Sequence, residues 1–136
     1  MPHPAGLPDL FIDRSLGRIQ VPRLLRAAGL RLTTLAERYG IPADETVSDE
    51  QWITDVGRRG EVAFMKDARV RYNAAEKAAI IRHAVRCFCL SRRDLTAEQM
   101  ANRFLGNLDR IAATCANDGP FIYAVHETRI EWLALS

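Results

Sequence analysis

Lysine is nearly absent from this chain. Of its 19 basic residues only Lys66 and Lys77 are lysine, and the remaining 17 are arginine. Arginine presents a planar fork that chelates phosphate oxygens, so the bias suits nucleic acid as well as an ordinary solvated surface. Cysteine is scarce too. Cys87, Cys89 and Cys115 are odd in number and lack metal-type spacing, which argues against a disulfide framework and against a zinc site. Cys87 and Cys89 lie two apart in a strand-like run, so they face one side as small buried hydrophobes. The compartment expected is a reducing cytoplasm. No apolar run approaches the ~20 residues that span a bilayer, so no membrane association is expected. Residues 1–8 have no basic region followed by an apolar core. They read as a flexible tail carrying Pro2, Pro4 and Pro8 rather than as a secretory signal. A Gly-rich phosphate loop, a nucleophile elbow and a Cys–His pair are all missing, which argues against triphosphate use and covalent catalysis. There is no internal repeat and no low-complexity segment.

What remains is a chain of 136 residues, 48% hydrophobic, with net charge +2. That suits a single domain over residues 9–136. Strand and helix alternate along it. Leu10–Asp13 is a short apolar strand. Pro22 suits the first turn of a helix running to about Ala28, with Val21, Leu24, Leu25 and Ala28 as its apolar stripe and Gly29 as its stop. Leu30–Leu35 reads as a strand near the sheet's edge, and residues 36–47 as a loop. Ser48-Asp49-Glu50-Gln51 is a capping box that opens a helix to Gly57 or Gly60. Glu61–Met65 is a strand. Asn73-Ala74-Ala75-Glu76 caps a helix to about His83. Val85–Leu90 is a strand too apolar for an exposed edge. Thr96 caps the longest helix, about residues 97–116, and Phe121–Val125 and Arg129–Leu133 form a closing hairpin. The rhythm predicts an α/β fold: a mostly parallel sheet with helices on both faces and one antiparallel strand added last.

Acidic residues punctuate this pattern. Asp13, Asp67 and Asp94 each follow a predicted strand, and Asp49 and Glu50 open a predicted helix. In an open parallel sheet ligands gather at the carboxyl ends of the strands, where separated carboxylates can meet. Like charges so placed repel unless a hard cation such as Mg²⁺ or Mn²⁺ holds them. Each residue also has a local reading. Asp13 suits a turn, the helix dipole favours one of Asp49 and Glu50, Lys66-Asp67 suits a surface ion pair, and Asp94 suits the helix start before Thr96. Taken together, acids at one sheet edge with Lys66 alongside match metal-dependent phosphodiester cleavage.

The segments Leu10–Gly17, Ser48–Ile53 and Phe64–Asp67, with the late run Gly119–Val125, resemble the PIN-like domain superfamily. The resemblance is to its VapC-type toxin ribonucleases, of the mycobacterial kind, and spans about residues 9–135. It implies a three-layer α/β/α sandwich and an Mg²⁺- or Mn²⁺-dependent RNA endonuclease, the toxin of a type II toxin–antitoxin pair. It implies a first-strand metal ligand at Asp13, a helix-borne acid at Asp49 with Glu50 as the competing choice, and a later aspartate at Asp67 preceded by Lys66. The nearest match to the family's frequent fourth acid is Asp94, a position that departs from the better-known toxin pattern. RNA is the implied substrate, a cognate antitoxin the implied partner, and a homodimer a common state of such toxins. Two other readings stay open. One is a receiver-like signalling module, against which stand Lys66 directly before Asp67 and Arg14 directly after Asp13. The other is an inactive PIN-like domain that only binds partners.

Overall fold

A computed structural model describes residues 3–66 and 68–135. The expectation resting on Asp67 lies outside the described residues.

Six strands form one sheet: β1 Leu10–Ile12, β2 Leu32–Thr34, β3 Val62–Met65, β4 Arg86–Leu90, β5 Phe121–Val125 and β6 Ile130–Leu133, in the order β2-β1-β3-β4-β5-β6. The first five run parallel, and β6 pairs antiparallel with β5. The central strands are buried on both faces, as parallel strands under crossover helices must be. Side chains of β1 and β3 part alternately to the two faces. Leu10, Ile12, Val62 and Phe64 join one core, with Phe88 and Leu90 of β4; Phe11, Ala63 and Met65 join the other, with Cys87 and Cys89. The first core is closed by α1 (Gln20–Ala27), α5 (Ala97–Gly106) and α6 (Leu108–Thr114), through Val21, Leu25, Phe104 and Ile111. The second is closed by α3 (Asp49–Arg59) and α4 (Ala74–Arg82), through Trp52, Ile53, Val56 and Ile80. The result is the three-layer sandwich, with the C-terminal antiparallel pair in place. Within the expected N-terminal tail, Leu7 is buried and the His3 ring bonds the Leu7 carbonyl and the Arg31 amide.

Two expectations need correction. The stretch 36–47 is not all loop, since α2 spans Leu35–Tyr39. Thr34 Oγ1 accepts from the Glu37 amide at 3.1 Å and Glu37 Oε1 accepts from the Thr34 amide at 2.9 Å. This reciprocal cap ends the strand at Thr34 and starts the helix in the next residue. The long helix over 97–116 is broken at Asn107, which is completely buried. Its amide nitrogen donates to the Arg103 carbonyl at 2.9 Å and to the His126 carbonyl at 2.8 Å. Bonding the turn after β5 takes precedence over continuing the helix.

The topology sets the site. From β1 the chain crosses one face to reach β2, while from β3 it crosses the opposite face to reach β4. The carboxyl ends of β1 and β3 therefore flank the switch point, where an open parallel sheet leaves a crevice. Helices α3 and α4 both run antiparallel to the strands they lead into. Their N-termini arrive at that same edge.

The packing of α3 on α4 is tight at Gly57. A Cβ there would lie 2.5 Å from His83 Cβ and 2.7 Å from the His83 carbonyl oxygen. Glycine to alanine in a free helix gains about 1 kcal/mol, whereas overpacking costs about 1–3 kcal/mol. Because backbone cannot yield as a side-chain tip can, Gly57→Ala is expected to be net destabilising by about 1–2 kcal/mol. Urea denaturation should show a lower midpoint at unchanged slope; a higher midpoint would show that the end of α4 gives way.

Candidate active site

Asp13 directly follows the buried strand β1 and is only 8% exposed. Its amide donates to the Phe64 carbonyl at 3.1 Å, anchoring it against β3. It caps the 3₁₀ turn Arg14–Leu16: Oδ2 accepts from Ser15 Oγ at 2.6 Å and from the Ser15 amide at 3.4 Å. Ser15 Oγ also accepts from the Lys66 amide at 2.9 Å, tying the ends of β1 and β3 together. Oδ1 of Asp13 is buried with no hydrogen-bond partner among the described residues. Burial raises the pKa of this carboxyl above the usual aspartate value. The Ser15 hydroxyl opposes the rise, and the charge of Asp49 adds to it.

Asp49 is the first residue of α3. Ser48 caps the helix by accepting from the Gln51 amide at 3.1 Å. The indole nitrogen of buried Trp52 donates to Asp49 Oδ1 at 2.8 Å, and the Trp52 ring stacks on Phe11 of β1 at 5.3 Å. The carboxylate is thus positioned through two packed rings from the strand that carries Asp13. Glu50, the competing choice, is exposed. Asp49 turns to the cleft and Glu50 to solvent.

The structure adds a residue that sequence reasoning passed over. Glu76 sits in the first turn of α4, where Asn73 Oδ1 accepts from its amide at 3.0 Å. Asp13, Asp49 and Glu76, with Ser15, Asn73 and Arg69, line one cleft of about 390 Å³. The Glu76 carboxyl is hydrogen-bonded to Asp49. Burial first, then that bond and the repulsion of Asp49 and Asp13, push its pKa up to about 7. Glu76 therefore keeps its proton to near neutral pH. The signal was present as an acid opening the helix after the third strand, but Asn73-x-x-Glu76 is equally a local cap.

Other predicted residues lie apart. Lys66 borders an adjacent cavity with Ser15, Gln20 and Ala97, and only its amide reaches the Asp13 network. Asp94 is exposed beyond β4 and is not among the cleft's lining. Arg92 binds both its oxygens, at 3.1 and 2.9 Å, and holds its carboxyl below the usual range. Among the described residues, no three His, Cys, Asp or Glu side chains form a ready metal-binding group. The cleft's donors nonetheless suit a hard cation. The acids offer oxygens only, and one of these is a buried orphan.

Acids from the end of β1 and the starts of α3 and α4 thus gather at the switch point of a covered parallel sheet. A family profile described as "PIN like domain" matches residues 8–92, and the chain belongs to the PIN-like domain family. Over 126 residues it is 46% identical to a Mycobacterium tuberculosis protein named "Putative ribonuclease VapC45", covering 93% of this chain and 91% of that one. No solved structure matches. Receiver modules share the strand order of β1–β5, so the sheet alone does not separate the two; family membership does. Among the described residues no helix is long and apolar enough to cross a membrane.

The raised Glu76 pKa has a definite sign in stability. Between the ordinary glutamate value, 4.5, and about 7 the folded protein holds a proton that the unfolded chain has released. Stability must then fall as pH rises through that window. With divalent ions chelated, the thermal midpoint of the wild type should drop from pH 5 to pH 7.5 more steeply than that of Glu76→Gln. Parallel slopes would show that Glu76 titrates normally.

Proposed function

We propose that this protein is a divalent-metal-dependent endoribonuclease, the toxin of a type II toxin–antitoxin pair acting in the cytoplasm. The observation that carries the reading is the convergence of Asp13, Asp49 and Glu76 on one cleft, with Asp13 Oδ1 buried and unpartnered. Membership of the PIN-like domain family and the ribonuclease name of the mycobacterial relative support it. In this reading residues 9–136 act as one unit, and the chain works with an RNA substrate, a cognate antitoxin and, as a further element, a second copy in a homodimer.

Asp13, Asp49 and Glu76 would hold the ion, Mg²⁺ or Mn²⁺, joined by Asp67 as the sequence expects. Bound there, it would supply an activated water and charge stabilisation on phosphate. The chain's own part is positional. Ser15 fixes one oxygen of Asp13 and leaves the other open. Trp52 orients Asp49. Glu76 keeps its proton to near neutral pH, and a cation held by these acids would displace it, so loading would be favoured as pH rises. Arg69 borders the cleft and suits the scissile phosphate. Lys66 serves the chain to either side of the cut, and Asp94 and Glu50 are left without a role at the cleft.

The test is RNA cleavage with Mn²⁺ present and chelated. Asp13→Asn and Glu76→Gln should each lower the rate by about 10²-fold or more, and Glu50→Gln and Asp94→Asn by less than about threefold. Mn²⁺ should raise the wild-type thermal midpoint by mass action and raise that of Asp13→Asn much less. Metal-independent cleavage, or equal cleavage by wild type and Asp13→Asn, would overturn the assignment.

A further inference from the structure

The structure has a second, larger cavity, of about 490 Å³, on the same sheet edge as Asp13 and toward β2. Ile12 at the end of β1 and Leu35 at the start of α2 give it apolar walls, and Gly17 leaves one side without a side chain. Neighbouring strands lie about 4.8 Å apart, so this cavity stands within a nucleotide's reach of Asp13. Its polar feature is Asp44, in the short turn Ala43–Glu45. Asp44 is 8% exposed, yet Oδ1 is buried without any hydrogen-bond partner. The nearest cation, Arg18 Nη1, is 3.9 Å from Oδ2, beyond hydrogen-bond reach. Arg14 does not serve it either, because its guanidinium donates to the carbonyls of Glu45 and Val47 and so fixes the turn.

A buried carboxylate left unsatisfied is costly and calls for a donor. We propose that this cavity is a nucleobase subsite that selects a base bearing an exocyclic amino group, with Asp44 as the acceptor. The inference rests on the ribonuclease reading for its choice of RNA. A carboxylate accepts from cytosine N4 and equally from the amino groups of adenine and guanine. Uracil would present a carbonyl oxygen in the same place and be repelled. Ile12 and Leu35, 1% and 2% exposed, close the floor of the cavity, and Arg18 suits the phosphate of the bound nucleotide. An arginine from a partner protein would also satisfy Asp44, but it would enter beside Arg14 and Arg18 against their charge.

Cytidine and uridine 5′-monophosphate differ only at C4 and N3, where an amino group beside an acceptor nitrogen is replaced by a carbonyl beside an N–H, and are the probes. Backbone amide spectra of the full chain should show Gly17 and Leu35 shifting with the cytidine nucleotide at about tenfold lower concentration than with the uridine one, the ratio expected of one hydrogen bond to a charged group. Asp44→Asn, whose amide both donates and accepts, should bring the two titrations within about twofold. Equal titration of the wild type overturns the proposal without reference to any variant. So do shifts confined to the Asp13 cleft, and so does an Asp44-dependent response to an arginine-rich peptide but not to the cytidine nucleotide. Because binding is read without turnover, a protein that cleaves no RNA yet prefers cytidine keeps this subsite and loses only the nuclease assignment. One that cleaves RNA with no such preference does the reverse.

Discussion

The structure depends on electrostatic repulsion held in place by packing. Asp13 is buried at the end of a strand that is itself buried, and Asp49 and Glu76 are brought against it by helices with no freedom to withdraw. Trp52 ties Asp49 to Phe11, and the contact at Gly57 and His83 fixes α3 against α4. Three acids so confined relieve their repulsion in one of two ways. They keep a proton, as Glu76 does to near neutral pH, or, in the function proposed above, they accept a cation.

Helix N-termini have a double role here. Ser48 and Asn73 each satisfy an amide of the first turn, and the dipoles of α3 and α4 offset part of the cost of crowding Asp49 and Glu76. The same geometry delivers both acids to the carboxyl edge of the sheet, since each helix runs antiparallel to the strand it precedes. One arrangement of backbone thus gives both the local stabilisation and the placing of the acids. A cap signature alone therefore did not separate the two at Glu76, and at Asp49 and Glu50 only the direction of the helix face did.

Arginine is used as a structural cation as well as a surface one. Arg38 forms a two-pronged pair with Glu61, at 2.6 Å on each arm, and lies over the Phe11 ring. Arg14 holds the turn that carries Asp44. This divided use explains why an arginine-rich composition does not by itself argue for nucleic acid. Some guanidinium groups sit inside the fold, and their charge is not offered to a partner.

Much of the architecture was legible along the chain. The unbroken apolar runs at 10–12, 62–65 and 87–90 marked buried parallel strands, and the caps at Ser48, Asn73 and Thr96 marked helices that formed where expected. Thr34-x-x-Glu37 carried the signal for α2 and was hidden by the β-branched residues before it. The break at Asn107 carried only the weak signal of Gly106 before it, because what holds it is the turn after β5, 19 residues further on. Position in the chain determined which residues would end strands and open helices, since those depend on neighbours within a turn or two. Which acids share a cleft was decided by the tertiary structure alone: Asp13 with Asp49 and Glu76, Asp94 instead with Arg92. Charge repulsion acts through space, and only the order of the strands and the side each helix crosses set those distances.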